Sequence, residues 1–87
     1  MHYADARCTC TEEFQPEHVY VYRGPCVVSG KPQEVRIPAR ELFSYRRGAR
    51  LQHAMPSLSI GEREFLISGI SAESWDSMFQ GNTEEND

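Results

Sequence analysis

Ser57-Leu-Ser-Ile-Gly-Glu-Arg-Glu-Phe-Leu-Ile-Ser-Gly-Ile-Ser-Ala-Glu-Ser-Trp-Asp-Ser-Met-Phe79 carries two helix starts, a helix stop and the only tryptophan of an 87-residue chain. Ser59 followed by Glu62 has the capping-box spacing. The serine oxygen accepts from an amide orphaned in the first turn, and the glutamate accepts from the Ser59 amide in return. Gly69 supplies the left-handed residue that ends this helix without a Cβ penalty. Ser71 then caps a second helix. The first helix turns Phe65 and Leu66 inward, and the second carries Trp75, Met78 and Phe79. Trp75 is expected to be buried with Met78 and Phe79, because a large aromatic contributes most to a small core and its neighbours stand at helical spacing.

Upstream, His18-Val-Tyr-Val-Tyr-Arg23 alternates in a β-rich run that puts Val19 and Val21 on one face and Tyr20 and Tyr22 on the other. Cys26-Val-Val28 is expected to continue this strand past a bulge at Gly24-Pro25, since proline cannot donate to a ladder. Ser29-Gly-Lys-Pro32 reads as the turn, and Gln33–Ile37 as the returning strand with Val35 and Ile37 inward. Pro38 opens a helix through Arg40, Leu42, Phe43 and Arg46 that stops at Gly48, with Phe43 expected in the core. A short helix over Arg50–Met55 ends before Pro56, Leu51 and Met55 sharing its buried side. The fold class is therefore α+β, a small β-hairpin packed on three or four short helices. Residues 1–17 are read as an N-terminal arm free to be flexible, 18–79 as one compact domain, and 80–87, acidic and lacking apolar residues, as a disordered tail.

The runs Glu62–Ile70 and Trp75–Phe79 resemble the C-terminal part of small, uncharacterised proteins encoded by bacteriophages. Those chains close on Glu-Arg-Glu-Phe/Leu-Leu-Ile-Ser-Gly-Ile, a spacer and Trp-Asp-x-Met/Phe-Phe. Some of them carry a Cys-x-x-Cys pair in the spacer, half of a zinc site, where this chain has Ser71 and Ser74. The resemblance implies a phage origin and a bacterial host cytoplasm as location, without implying an activity.

Composition narrows the function classes. A domain of this size buries roughly 60–65% of its unfolded surface, which leaves little stability to spend on a strained active site. No run approaches the ~18 apolar residues of a membrane span, and the N-terminus lacks a signal-peptide apolar region. Three cysteines without an export signal argue for reduced thiols. Cys8-Thr-Cys10 is spaced too closely for a common zinc knuckle, so a site from Cys8, Cys10, Cys26 and His18 is disfavoured and neither metal nor cofactor is expected. His2, His18 and His53 have no glycine-framed nucleophile or acid–base cluster around them, so no enzyme is expected.

Net charge is −4, distributed as −2 over residues 1–30, +4 over 31–50 and −6 over 51–87. A basic middle between acidic ends guides association with a charged partner; the plainer alternative is internal pairing with the acidic C-terminal part. Arg40, Arg46, Arg47 and Arg50 are the candidate charged contacts. Tyr20, Tyr22 and Arg23, read as an exposed hairpin face, are the candidate anchors, because tyrosine and arginine dominate interface hot spots; the plainer alternative is that Tyr20 and Tyr22 cover the first helix. These readings converge on a non-enzymatic phage accessory protein that binds a host or phage protein by steric occupation. Arginines near Tyr45 and Phe43 also suit unpaired nucleic acid, against which stands a sequence pI near 5.3.

Overall fold

The computed structural model of the chain describes residues 1–78. They form, in order, α1 (His2–Arg7), β1 (Thr9–Glu13), β2 (Val19–Pro25), β3 (Pro32–Pro38), α2 (Ala39–Arg46), α3 (Leu51–Ala54), α4 (Ile60–Ser68) and a helical stretch, α5, over 72–78. Phe79 and the tail 80–87 lie outside the described residues.

The alternating run of β2 becomes the centre of an antiparallel sheet ordered β1-β2-β3. The expected hairpin is β2–β3. The third strand comes from the segment read as an arm: Thr9 pairs with Arg23, Cys10 with Tyr22 and Glu13 with Val19. Thr9-Cys-Thr-Glu-Glu13 has no apolar alternation, so its strand state comes from the unpaired edge of β2. The rest of that segment joins the core too, since Met1 and Ala4 are buried there and the Tyr3 ring meets Phe65 edge-on at 5.5 Å.

No bulge interrupts β2. Pro25 faces Pro32 at the end of the ladder, where neither missing N–H is needed. The chain turns at once: the Cys26 amide donates to the Lys31 carbonyl at 2.9 Å and the Gly30 amide to the Cys26 carbonyl at 2.8 Å. Val27 and Val28 therefore stand exposed in the turn rather than extending the strand.

Val35 and Ile37 point inward as expected, with Tyr22 opposite Val35 and Tyr20 opposite Ile37 on the same face. Onto that face pack Leu42 of α2, Met55 and Leu58 after α3, and Phe65 and Leu66 of α4, all buried. Each such side chain contributes ~1.5–3 kcal/mol by leaving water. Val21 is also fully buried, but on the outer face. There Arg23 pairs with Glu34 at 2.9 Å, and Arg36 pairs with Glu13 and with Glu34. The aliphatic stems of these arginines cover valine while their heads stay wet.

Local signals set the helices. Pro38 sits at the N-cap of α2 rather than inside its first turn, and the first helical amide, Ala39, donates to the His18 carbonyl. The buried Glu41 carboxylate accepts from the amide and hydroxyl of Ser57, tying α2 to the chain beyond Pro56. The capping box of α4 is complete, with Glu62 N–H to Ser59 Oγ at 3.1 Å and Ser59 N–H to Glu62 Oε1 at 2.8 Å. Gly69 ends it at φ 80°. Ser71 caps α5 by accepting from the Ser74 amide at 3.3 Å.

Trp75, expected to be buried, is only partly buried, with its indole nitrogen closed to solvent, and Met78 is 43% exposed. The inward side of α5 is formed by Ser71 and Ser74, 5% and 6% exposed, which hydrogen-bond Cys26 and each other. That roll of the helix carries Trp75 to the rim.

Candidate functional site

The candidate anchors do not share one exposed face. Tyr22 is 3% exposed inside the core, and Arg23 lies on the opposite face of the sheet in its ion pair with Glu34. The tyrosine face is the inner face, because the cross-strand ion pairs hold the valine face outward. Burial pushes the Tyr22 phenol up to about 12, reinforced by neighbouring Cys10. Its oxygen accepts a long contact, 3.5 Å, from Arg46.

Tyr20 is only partly buried, because α2 covers the inner face incompletely toward β1. In that opening its ring meets Phe43 edge-on at 5.9 Å and tilts against His18 at 5.3 Å. Phe14 stacks on His18 at 4.7 Å, 16° from parallel. Phe43, expected in the core, is 40% exposed, since Ala39 and Leu42 take the inward positions of α2; Phe14 is 62% exposed. The result is a surface patch of rings drawn from the β1–β2 loop, the central strand and α2. Glu12 lies at its border and receives a hydrogen bond from His18 at 2.6 Å, which holds its carboxyl below the ordinary carboxylate range.

The cations beside this patch are those of α2. Arg40 stands three residues before Phe43, at 3.8 Å from Glu41. Arg46 reaches over the Tyr22 hydroxyl, and its charge is felt at Tyr20, where burial is the main influence and raises the phenol. Arg47 and Arg50 follow in the α2–α3 connection, both exposed. Among the described residues, Arg46, Arg47 and Arg50 make no ion pair, whereas Arg23, Lys31 and Arg36 do. Internal pairing thus consumes the β-strand and turn cations, and Arg40 in part, and leaves Arg46, Arg47 and Arg50 open. Phe14 and His18 do not stand out in the sequence because the approach of His18 to Phe43 at 6.4 Å is tertiary; the short spacing from Phe14 to Tyr20 across a turn is the available signal.

The cysteines are dispersed: Cys8 is partly buried, Cys10 exposed on β1 and Cys26 buried at the hairpin end. Among the described residues no three histidine, cysteine or acidic side chains gather as metal ligands. Cys26 is more than an apolar filler. Its sulfur lies 3.2 Å from Ser74 Oγ and accepts from the Ser71 amide at 3.3 Å. Burial works against the thiolate, but hydrogen bonds from Ser71, Ser74 and Ser29 outweigh it and bring the thiol down to about 5. At 1% exposure the group is closed to substrates.

Compared with known proteins, the chain matches no family model, no curated protein and no solved structure. None of the described helices is long and apolar enough to cross a membrane.

Proposed function

We propose that the chain is a non-enzymatic accessory protein, of phage origin and acting in the bacterial host cytoplasm, that occupies an acidic surface on a host or phage protein. The observation that carries this reading is the surface ring patch of Phe14, His18, Tyr20 and Phe43 beside Arg46 and Arg47, which make no ion pair among the described residues. Exposed aromatics surrounded by arginine are the usual energetic centre of a protein interface. Arg40 and Arg50 extend the basic rim. Steric occupation follows because the group most primed for chemistry, the Cys26 thiol, is sealed under Ser71 and Ser74.

The same patch favours a second reading, since rings beside arginines also stack unpaired bases. Glu12 at its border argues for protein, because a carboxylate there repels phosphate while it can meet a cation of a mixed partner surface. Capture from a bacterial host lysate, with and without nuclease, separates the two. A nuclease-resistant partner lost on Phe43→Ala and on Arg46→Glu with Arg47→Glu is the expected result. Capture that survives these substitutions overturns the site, and capture abolished by nuclease transfers it to nucleic acid.

A further inference from the structure

A second surface lies on the C-terminal helices. Gly61 lets α4 and α5 touch: a Cβ there would lie 2.7 Å from the Ala72 Cβ. Beyond this contact the helices diverge, leaving a groove of about 490 Å³ lined by Ile60, Gly61, Glu64, Ala72, Trp75 and Asp76. Its walls are apolar. Ile60 is 79% exposed, and Ile67, two turns along the same side of α4, is 41% exposed. A single exposed aliphatic needs no explanation, but Ile60 contiguous with Ala72 and Trp75 forms a patch of the kind that marks interaction sites.

The rim decides what fits. Glu64 stands on one wall and Asp76 on the other, and neither has an ion pair among the described residues. Residues 57–78 hold Glu62, Glu64, Glu73 and Asp76 against Arg63 alone. A ligand with an apolar ridge and cations on both flanks satisfies walls and rims together. An amphipathic helix presents that arrangement at i, i+3 and i+4 spacing, and a cleft between two helices receives its side-chain ridge.

We propose that this groove docks a basic amphipathic helix of a partner protein. Charge complementarity separates this occupant from the nearest rivals. The chain's own residues 79–87 carry Glu84, Glu85 and Asp87 with no basic residue, so Glu64 and Asp76 repel them. The basic helix of a second copy offers only Phe43 as an exposed anchor, because Leu42 is committed to the core. The groove is distinct from the ring patch on α2, so the two bindings stand or fall separately.

Trp75 is the only tryptophan and lines the groove, which makes its emission a direct reporter. The probe is a short helical peptide of leucine and lysine, compared with the same peptide carrying glutamate for lysine, against the full chain. The lysine peptide is expected to shift the Trp75 emission saturably, and the glutamate peptide to leave it unchanged. Glu64→Lys with Asp76→Lys should weaken the lysine peptide by about tenfold or more, and Ile60→Ser by a similar factor, with circular dichroism unchanged. Equal binding of both peptides, or unaltered binding by the variants, overturns the proposal. So does an emission shift driven by protein concentration alone, which identifies a second copy, or peptide binding that emerges only when the chain is cut after Met78.

Discussion

Ser74 Oγ lies 3.2 Å from Cys26 Sγ, joining α5 to the β2–β3 turn across 48 residues of sequence. The Val27 amide donates to the Gly69 carbonyl at 2.8 Å, and Lys31 pairs with Glu73 at 3.0 Å. The hairpin end and the α4–α5 junction are thus held together by a buried polar centre with an exposed ion pair at its margin. The buried part carries the weight, since exposed ion pairs contribute little.

Replacing Cys26 by alanine removes the acceptor of the buried Ser71 amide and the hydrogen-bond partner of the buried Ser74 hydroxyl. The expected loss is ~1–3 kcal/mol, read by chemical denaturation. Because the folded thiol is lowered to about 5 while an unfolded thiol titrates near ~8.5, the linked stability is fully present above the unfolded value and disappears as pH falls through the folded one. The advantage of the wild type over Cys26→Ala should therefore shrink on acidification across that window. A difference independent of pH would show that the sulfur is held as a neutral thiol.

Gly69 and Gly30 share a left-handed backbone, φ 80° and 75°, but not their surroundings. A Cβ at Gly69 would stand 2.6 Å from the Tyr3 ring, which is itself packed on Phe65, while at Gly30 it meets nothing within 4 Å. Gly30→Ala should cost only the backbone term, ~1 kcal/mol. Gly69→Ala should cost more, adding an overpacking term of ~1–3 kcal/mol, unless α1 shifts away. Equal melting temperatures for the two variants would show that α1 does not press on this residue.

The parts of the fold that sequence made legible are those with local causes. Ser59, Glu62 and Gly69 bound α4 by hydrogen bonds made within a few residues, and Pro38, Gly48 and Pro56 punctuate α2 and α3 by backbone sterics alone. The inner face of β2 was not legible, because Val19/Val21 and Tyr20/Tyr22 are both apolar sets. Cross-strand pairing of Arg23 and Arg36 with Glu13 and Glu34 makes the choice, and it depends on partners from two other strands. Of the candidate site, Arg46, Arg47 and Arg50 could be read from charge. Phe43 could not, since one step round α2 separates it from buried Leu42, and His18, with Phe14 stacked on it, reaches it only when the sheet closes.

Tyr22 gives a separate pH test at the alkaline end. Its phenol, raised to about 12, lies above the ~10 of an unfolded tyrosine. The stability linked to it is fully present below the unfolded value and is lost as pH rises through the folded one. A spectrophotometric titration should show a tyrosine step well above the ~10 of an unfolded tyrosine, with unfolding following. Tyr22→Phe keeps the ring in place, gives up the 3.5 Å Arg46 contact and the hydroxyl's interaction with Cys10, and should lose this step at little cost at neutral pH. A titration curve that Tyr22→Phe leaves unchanged above pH ~10 would place Tyr22 in solvent.

Leu66 and Trp75 stand on consecutive helices with opposite duties, which the size of their side chains would misorder. Leu66 is fully buried among Tyr22, Val35, Ile37 and Leu42, so truncation leaves a cavity that the surrounding side chains fill only in part. Leu66→Ala should cost ~2–5 kcal/mol, enough to unfold much of a domain this small. Trp75 is only partly buried and lines the groove together with Ala72 and Ile60. Its truncation to alanine should therefore cost less than the ~3–5 kcal/mol of a buried aromatic and less than Leu66→Ala in the same denaturation series. The reverse order would mean that Trp75, rather than the Cys26–Ser71–Ser74 centre, holds α5 against the fold.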